Sequence, residues 1–130
     1  MSLTLINAPV GEPLTVAEVK QHLRVDTDDQ NALIQRLIGA VRRKVESETA
    51  RPLLTQTWEW VADRWPSGGI RLPMAPIASI TNVKYVDSTG ALVTWSSSEW
   101  QADLESLPVR IVPAPGYCWP TLRQQLAAVR

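Results

Sequence analysis

An α+β fold is expected for this chain: an N-terminal helical hairpin of one short and one long helix, followed by a small antiparallel β lobe. Three observations predict it. Apolar residues recur at helical spacing between Glu12 and Thr49. From Gln56 onward large and polar groups alternate, β-branched residues accumulate, and all 6 Trp (58, 60, 65, 95, 100 and 119) are found there, while Phe is absent. Proline at 73, 76, 108, 113, 115 and 120 interrupts that half too often for a parallel sheet with crossover helices, and favours short antiparallel strands. The expected organisation is residues 1–52 as the hairpin and 53–130 as the Trp-rich lobe, packed as one unit.

The first helix is signalled at its start. In "EPLTVAEVKQHL" Thr15 is placed to cap, Glu18 to reciprocate three residues on, and Leu14 and Val19 to form a staple. A helix from Val16 to Leu23 or Arg24 is marginal in water by itself, so Val16, Val19 and Leu23 must pack on a partner. After the acidic turn "VDTDDQ" a long helix is expected from about Asp28 to Ala50, with Thr27 and Gln30, or Asp26 and Asp29, as capping pairs and Pro52 as the stop. Leu33, Leu37, Val41 and Val45, flanked by Ile34 and Ile38, form one broad apolar stripe, and Val19 and Leu23 are expected to pack on Leu33, Leu37 and Val41. Strands follow at "QTWEWVADRW", "GIRLP", "SITNVKYV" and "ALVTW", the last two joined by the turn "DSTG", and at "EWQAD" and "VRIVP". The final "TLRQQLAAVR" reads as a strand or helix cut short.

Composition bounds the function. With 130 residues, 45% apolar and 20% charged, the chain can bury a core without staples. Thirteen basic residues balance 13 acidic ones, and each half is balanced on its own, so neither carries the electrostatic footprint of a nucleic-acid binder. The single Cys118 forms no internal disulfide, and neither a basic leader nor an apolar run of membrane-spanning length occurs, so a cytosolic origin is the default expectation.

No set of residues assembles a catalytic site. The only histidine, His22, has no identifiable second group with which to act, and reads as a partly exposed helix residue. Asp26, Asp28 and Asp29 resemble part of a calcium loop but lack its central Gly and terminal Glu, so a solvated turn at the positive end of a helix dipole explains them better. Gly68 and Gly69 precede a strand and read as turn residues, not as a phosphate loop. Arg42, Arg43 and Lys44 suit a solvated face or a protein contact better than nucleic acid, and the Trp residues suit core and interface packing better than stacking platforms. No enzyme activity, cofactor or metal is expected. The candidate subunit-interface residues are Asp26, Asp28, Asp29, Arg42, Arg43 and Lys44, two patches of opposite sign on one hairpin.

The order of the motifs is more specific than any one of them. "EPLTVAEVKQHLRVDTDDQNALIQRLIGAVRRKVESETARPLLTQTWE", "IRLPMAPIASITNVKYVDSTGALVTW" and "RIVPAPGYCWP" together resemble the tailed-phage head-tail connector (adaptor) proteins, which also occur in prophages and gene-transfer agents, over about residues 12–130. The resemblance implies a homo-oligomeric ring, commonly of about twelve copies, whose hairpins stand side by side as rigid wedges. It implies as partners the portal protein and a stopper or tail-completion protein, with DNA passing through the channel, no sequence-specific nucleic-acid binding and no membrane. The expected location is the head-tail junction of the virion, and the bacterial host cytoplasm during assembly. Members of that family continue with a last strand and an apolar helix beyond the point matching residue 130. The alternative readings are a DNA-packaging accessory protein that binds nucleic acid, and a stand-alone enzyme built around His22.

Overall fold

Thr15 closes the N-terminus of α1 (Val16–Leu23) with a reciprocal capping box: its hydroxyl accepts from the Glu18 amide at 3.2 Å, and the Glu18 carboxylate accepts from the Thr15 amide at 2.7 Å. Arg24, in the left-handed conformation, ends the helix, and the Val25 amide bonds the Lys20 carbonyl. The second helix, α2 (Asn31–Thr49), begins three residues later than the sequence suggests. Neither expected capping pair acts there. Gln30 is the N-cap and makes no side-chain cap bond, and the nearby Asp28 carboxylate is turned to Lys20 and to the Asn31 side chain.

In this computed structural model, which describes residues 1–130, these helices belong to one compact unit, Asn7–Gln56, and the remainder, Met1–Ile6 with Thr57–Arg130, forms a second. The expected cut after residue 52 is therefore displaced at both ends. Residues 2–7 form a strand, β1 (Ser2–Asn7), which pairs with β2 (Thr57–Val61) and places the N-terminus with the strands. Residues 53–56 stay with the helices because the Leu53 amide and the Gln56 side chain both donate to Glu46 Oε1, at 2.8 and 3.0 Å.

Within the helical unit, α1 packs on α2. The buried row of α2 is Ile34, Ile38, Arg42 and Glu46, with Gly39 beside it. This corrects the expected packing. Leu33, Leu37, Val41 and Val45 are 53%, 52%, 60% and 37% exposed, and Leu23 is 56% exposed, whereas Ile34 and Ile38 retain only 4% and 8%. A helix turns about 100° per residue, so two rows one residue apart lie on adjacent faces and only one can face the hairpin core. The sequence pattern is apolar in both, and the charged pairs described below select the Ile34 row.

In the strand unit, β4 (Val83–Val86) and β5 (Leu92–Trp95) form an antiparallel hairpin with Val83 opposite Trp95. The Asp87 carboxylate accepts from the Thr89 and Ala91 amides and the Thr89 hydroxyl in the connecting turn. A three-stranded antiparallel sheet runs in the order β3 (Ile70–Leu72), β7 (Val109–Pro113), β6 (Trp100–Asp103), with Ile70 opposite Ile111 and Ala102 opposite Ile111. Gly69 enters β3 where a Cβ would lie 2.9 Å from the Ile111 carbonyl oxygen, and its φ of +103° also favours glycine. The C-terminal tripeptide Ala128–Arg130 joins two sheets: Val129 exchanges amide bonds with Ala62, while Ala128 and Arg130 bond the backbone of β4. Val129, in two isolated antiparallel bridges, is fully buried.

Ile70, Val83, Ile111 and Val129 form the core of this unit with Trp60 and Trp95. Trp65 stacks on Trp119 at 4.7 Å between centroids and is tilted against Trp95 and Tyr85, and its indole N–H donates to the Pro120 carbonyl at 2.8 Å. The indole nitrogens of Trp58, Trp60 and Trp100 are buried without a partner. Tryptophan is thus the filler of a Phe-free core.

Ile38→Ala should lower unfolding stability by about 2–5 kcal/mol, as expected for a buried aliphatic side chain. Leu37→Ala, one residue away, should change it by less than about 0.5 kcal/mol. Denaturant titration followed by far-UV ellipticity measures both, and equal losses would return the Leu37 row to the core.

Candidate assembly surface

The charged residues of the helical unit separate into those used inside the unit and those left outside. Arg42 belongs to the first group. Its Nε donates to Glu12 Oε2 at 2.7 Å, its Nη2 to Glu12 Oε1 at 3.3 Å, and its Nη1 to Glu46 Oε2 at 2.7 Å. Arg42 and Glu46 side chains are only 9% and 8% exposed, and Glu46 goes on to the Leu53 and Gln56 donors. The segment before α1, the middle of α2 and the exit from α2 are therefore tied at one guanidinium. Gly39 leaves room for it, since a Cβ there would sit 3.1 Å from Glu12 Oε1. The hydrogen bond to Glu12 holds the Arg42 pKa above its ordinary value, so the charge is permanent.

Of the six residues expected at a subunit interface, Arg42 is corrected by this geometry: it is enclosed and fully engaged within its own unit. Sequence gave a signal for one partner, Glu46, at i+4 from Arg42. It gave none for Glu12, 30 residues away. Asp28 is exposed but committed locally, its Oδ1 accepting from Lys20 Nζ at 2.6 Å and Asn31 Nδ2 at 3.0 Å. These contacts, that with Lys20 first, hold its carboxyl below the usual range. Lys44 forms an exposed i,i+4 pair with Glu48 at 2.8 Å. Asp26, Asp29 and Arg43 are exposed and make no ion pair. The acidic turn and the basic segment are thus far apart along α2 and do not meet within the chain.

The same unit carries the uncovered row Leu33, Leu37, Val41 and Val45, and exposed Leu14, Leu23 and Leu53. Leu14, expected in a staple, is half-exposed. His22 lies on the exposed side of α1 with no hydrogen-bond partner. No group of three or more His, Cys, Asp or Glu side chains is placed to hold a metal ion. No helix is long and apolar enough to cross a membrane. What the surface offers chemically is contact area with charged flanks.

That character agrees with the class of protein to which the sequence belongs, the phage-connector class. The chain belongs to the phage gp6-like head-tail connector protein family, whose pattern matches residues 13–89. Among solved structures it is similar to a chain in the neck of an empty gene transfer agent (GTA) particle computed with C6 symmetry, at 26% identity and a TM-score of 0.76, covering 94% of this chain and 65% of that one. It is similar also to a chain in the neck of the native GTA particle computed with C12 symmetry, at 28% identity and a TM-score of 0.66, covering 94% and 63%. A chain of the native GTA virion gives 28% identity, a TM-score of 0.64 and coverages of 94% and 65%. The present chain thus spans about two thirds of the length of the neck chains it matches. No match was found among curated proteins. The α+β fold and the connector resemblance read from sequence are both borne out.

Three outcomes test the charges of the helical unit. Arg42→Ala strands Glu12 and Glu46 and should cost about 1–3 kcal/mol, with little dependence on salt because the pair with Glu46 is buried. Lys44→Ala removes an exposed pair and should cost less than about 1 kcal/mol. Because the folded pKa of Asp28 is depressed, its contribution is complete above the ordinary value of 3.8 and is lost as pH falls through the depressed value. Acid titration of Lys20→Met beside the parent should show a smaller loss of stability in that window.

Proposed function

We propose that this chain is a structural head-tail connector: a ring subunit at the neck of a tailed phage or phage-like particle, lying between the portal and the stopper or tail. The observation that carries this reading is the joint match of sequence and fold, a connector family over residues 13–89 and neck chains of GTA particles over 94% of the chain. Symmetry of order twelve or six in those necks supports assembly from copies of itself around the path of the DNA. Localisation to the virion neck follows, with assembly in the host cytoplasm. The role is contact and not catalysis, which the isolated, exposed His22 supports. Of the charged residues assigned to subunit contacts, Asp26, Asp29 and Arg43 remain free to pair with a neighbour, and each such exposed pair would contribute about 0–1 kcal/mol. Balanced charge gives the nucleic-acid-binding alternative no support.

Deleting the coding sequence should yield filled or fillable heads without tails, and electron microscopy of necks from the parent should place the chain in a closed ring next to the portal. Normal tailed particles after deletion would remove this reading. Strong, salt-sensitive DNA binding by the isolated protein would favour the packaging accessory instead.

A further inference from the structure

We propose that Arg42 and Glu46 form a clasp that couples the two segments joining the helical unit to the strand unit, so that releasing the first segment loosens the second. The chain passes between the units twice, once after Ile6 and once after Gln56. The segments concerned are residues 8–15, which lead from β1 to α1, and residues 50–56, which lead from α2 to β2.

Apolar packing does little for either segment. No residue in them is buried, and Val10, Leu14 and Leu53 are exposed although apolar. Outside the helices and strands, residues 8–14 and 52–56 make no backbone–backbone hydrogen bond. The side-chain bonds of residues 8–14 all belong to Glu12, which accepts from Arg42 Nε at 2.7 Å and Nη2 at 3.3 Å. Those of residues 52–56 all go to Glu46 Oε1, from the Leu53 amide at 2.8 Å and Gln56 Nε2 at 3.0 Å. Both segments are thus held by one i,i+4 pair of α2, whose own bond, Arg42 Nη1 to Glu46 Oε2 at 2.7 Å, is buried.

The coupling follows from how the two oxygens of Glu46 are shared. One serves Arg42 and the other serves the exit segment, a division that holds while Glu12 takes the rest of the guanidinium. A guanidinium favours two parallel bonds to one carboxylate. Without Glu12, Arg42 keeps donors that are enclosed and lack an acceptor, and the carboxylate still in contact with it is that of Glu46. Turning to grip both oxygens of Glu46 restores the two-point pairing and takes Oε1 away from Leu53 and Gln56. Displacement of residues 8–15 is therefore transmitted across α2 to residues 50–56, although Glu12 bonds neither Leu53 nor Gln56.

Amide hydrogen exchange, resolved by NMR in the full chain, tests the clasp, with buried Ile38 in the middle of α2 as internal reference. Glu12→Ala should speed exchange of the Leu53 amide at least about threefold relative to Ile38. In an Arg42→Met background the same Glu12→Ala change should leave Leu53 where Arg42→Met alone puts it, because the connection runs through the guanidinium. A Leu53 amide that exchanges as in the parent, or a rise no greater than that of Ile38, would overturn the proposal. So would an undiminished effect of Glu12→Ala in the absence of Arg42.

Discussion

One guanidinium decides how the helical unit is built. Arg42 is held by Glu12 from before α1 and by Glu46 one turn along α2, and Glu46 in turn takes the first donors of the segment leaving the helix. Because these groups are largely out of water, each depends on the others: a charge taken from water is tolerated only when its bonds are met. The network sets the rotation of α2 about its own axis. That rotation puts Ile34 and Ile38 inside and leaves an equally apolar row outside. Two rows of comparable hydrophobicity compete, and the ionic contacts break the tie. Gly39 is part of the same arrangement, since the carboxylate of Glu12 occupies the space where a larger residue would place its Cβ.

Much of the architecture was legible in the sequence because it is locally encoded. The capping box of Thr15 and Glu18, the limits of α1, the Asp87 turn and the six strands after residue 56 all follow from short patterns. What was not legible depends on partners distant in sequence. Strand β1 pairs with residues 50 or more positions away and has no turn to announce it. The bridging role of Ala128–Arg130 depends on Ala62 and β4, partners that no local pattern in the tail announces. Periodicity identified the apolar sector of α2 correctly but could not say which edge of it faced inward, because a hydrophobic pattern has no memory of a carboxylate 30 residues upstream. For the same reason Arg42 read as surface charge beside Arg43 and Lys44, when only those two reach solvent.

The two units use different means to the same end. The helical unit combines a thin aliphatic core with buried ions, whereas the strand unit is filled by indoles and aliphatic residues from short strands. Alternation along β7 illustrates the economy of the second: Val109 and Ile111 are buried while Arg110 between them is exposed, so one five-residue strand serves the interior and the surface together.

The division of aromatic residues between the units has a spectroscopic consequence. Every Trp and both Tyr lie in the strand unit, and the helical unit contains none. Intrinsic fluorescence and near-ultraviolet circular dichroism therefore report on the indole cluster around Trp65 and are blind to the hairpin, whereas most of the helical far-ultraviolet signal comes from α1 and α2. The native chain thus carries two optical labels that do not overlap. Coincident melting curves from the two bands signify one cooperative transition, and separated curves signify units that unfold independently.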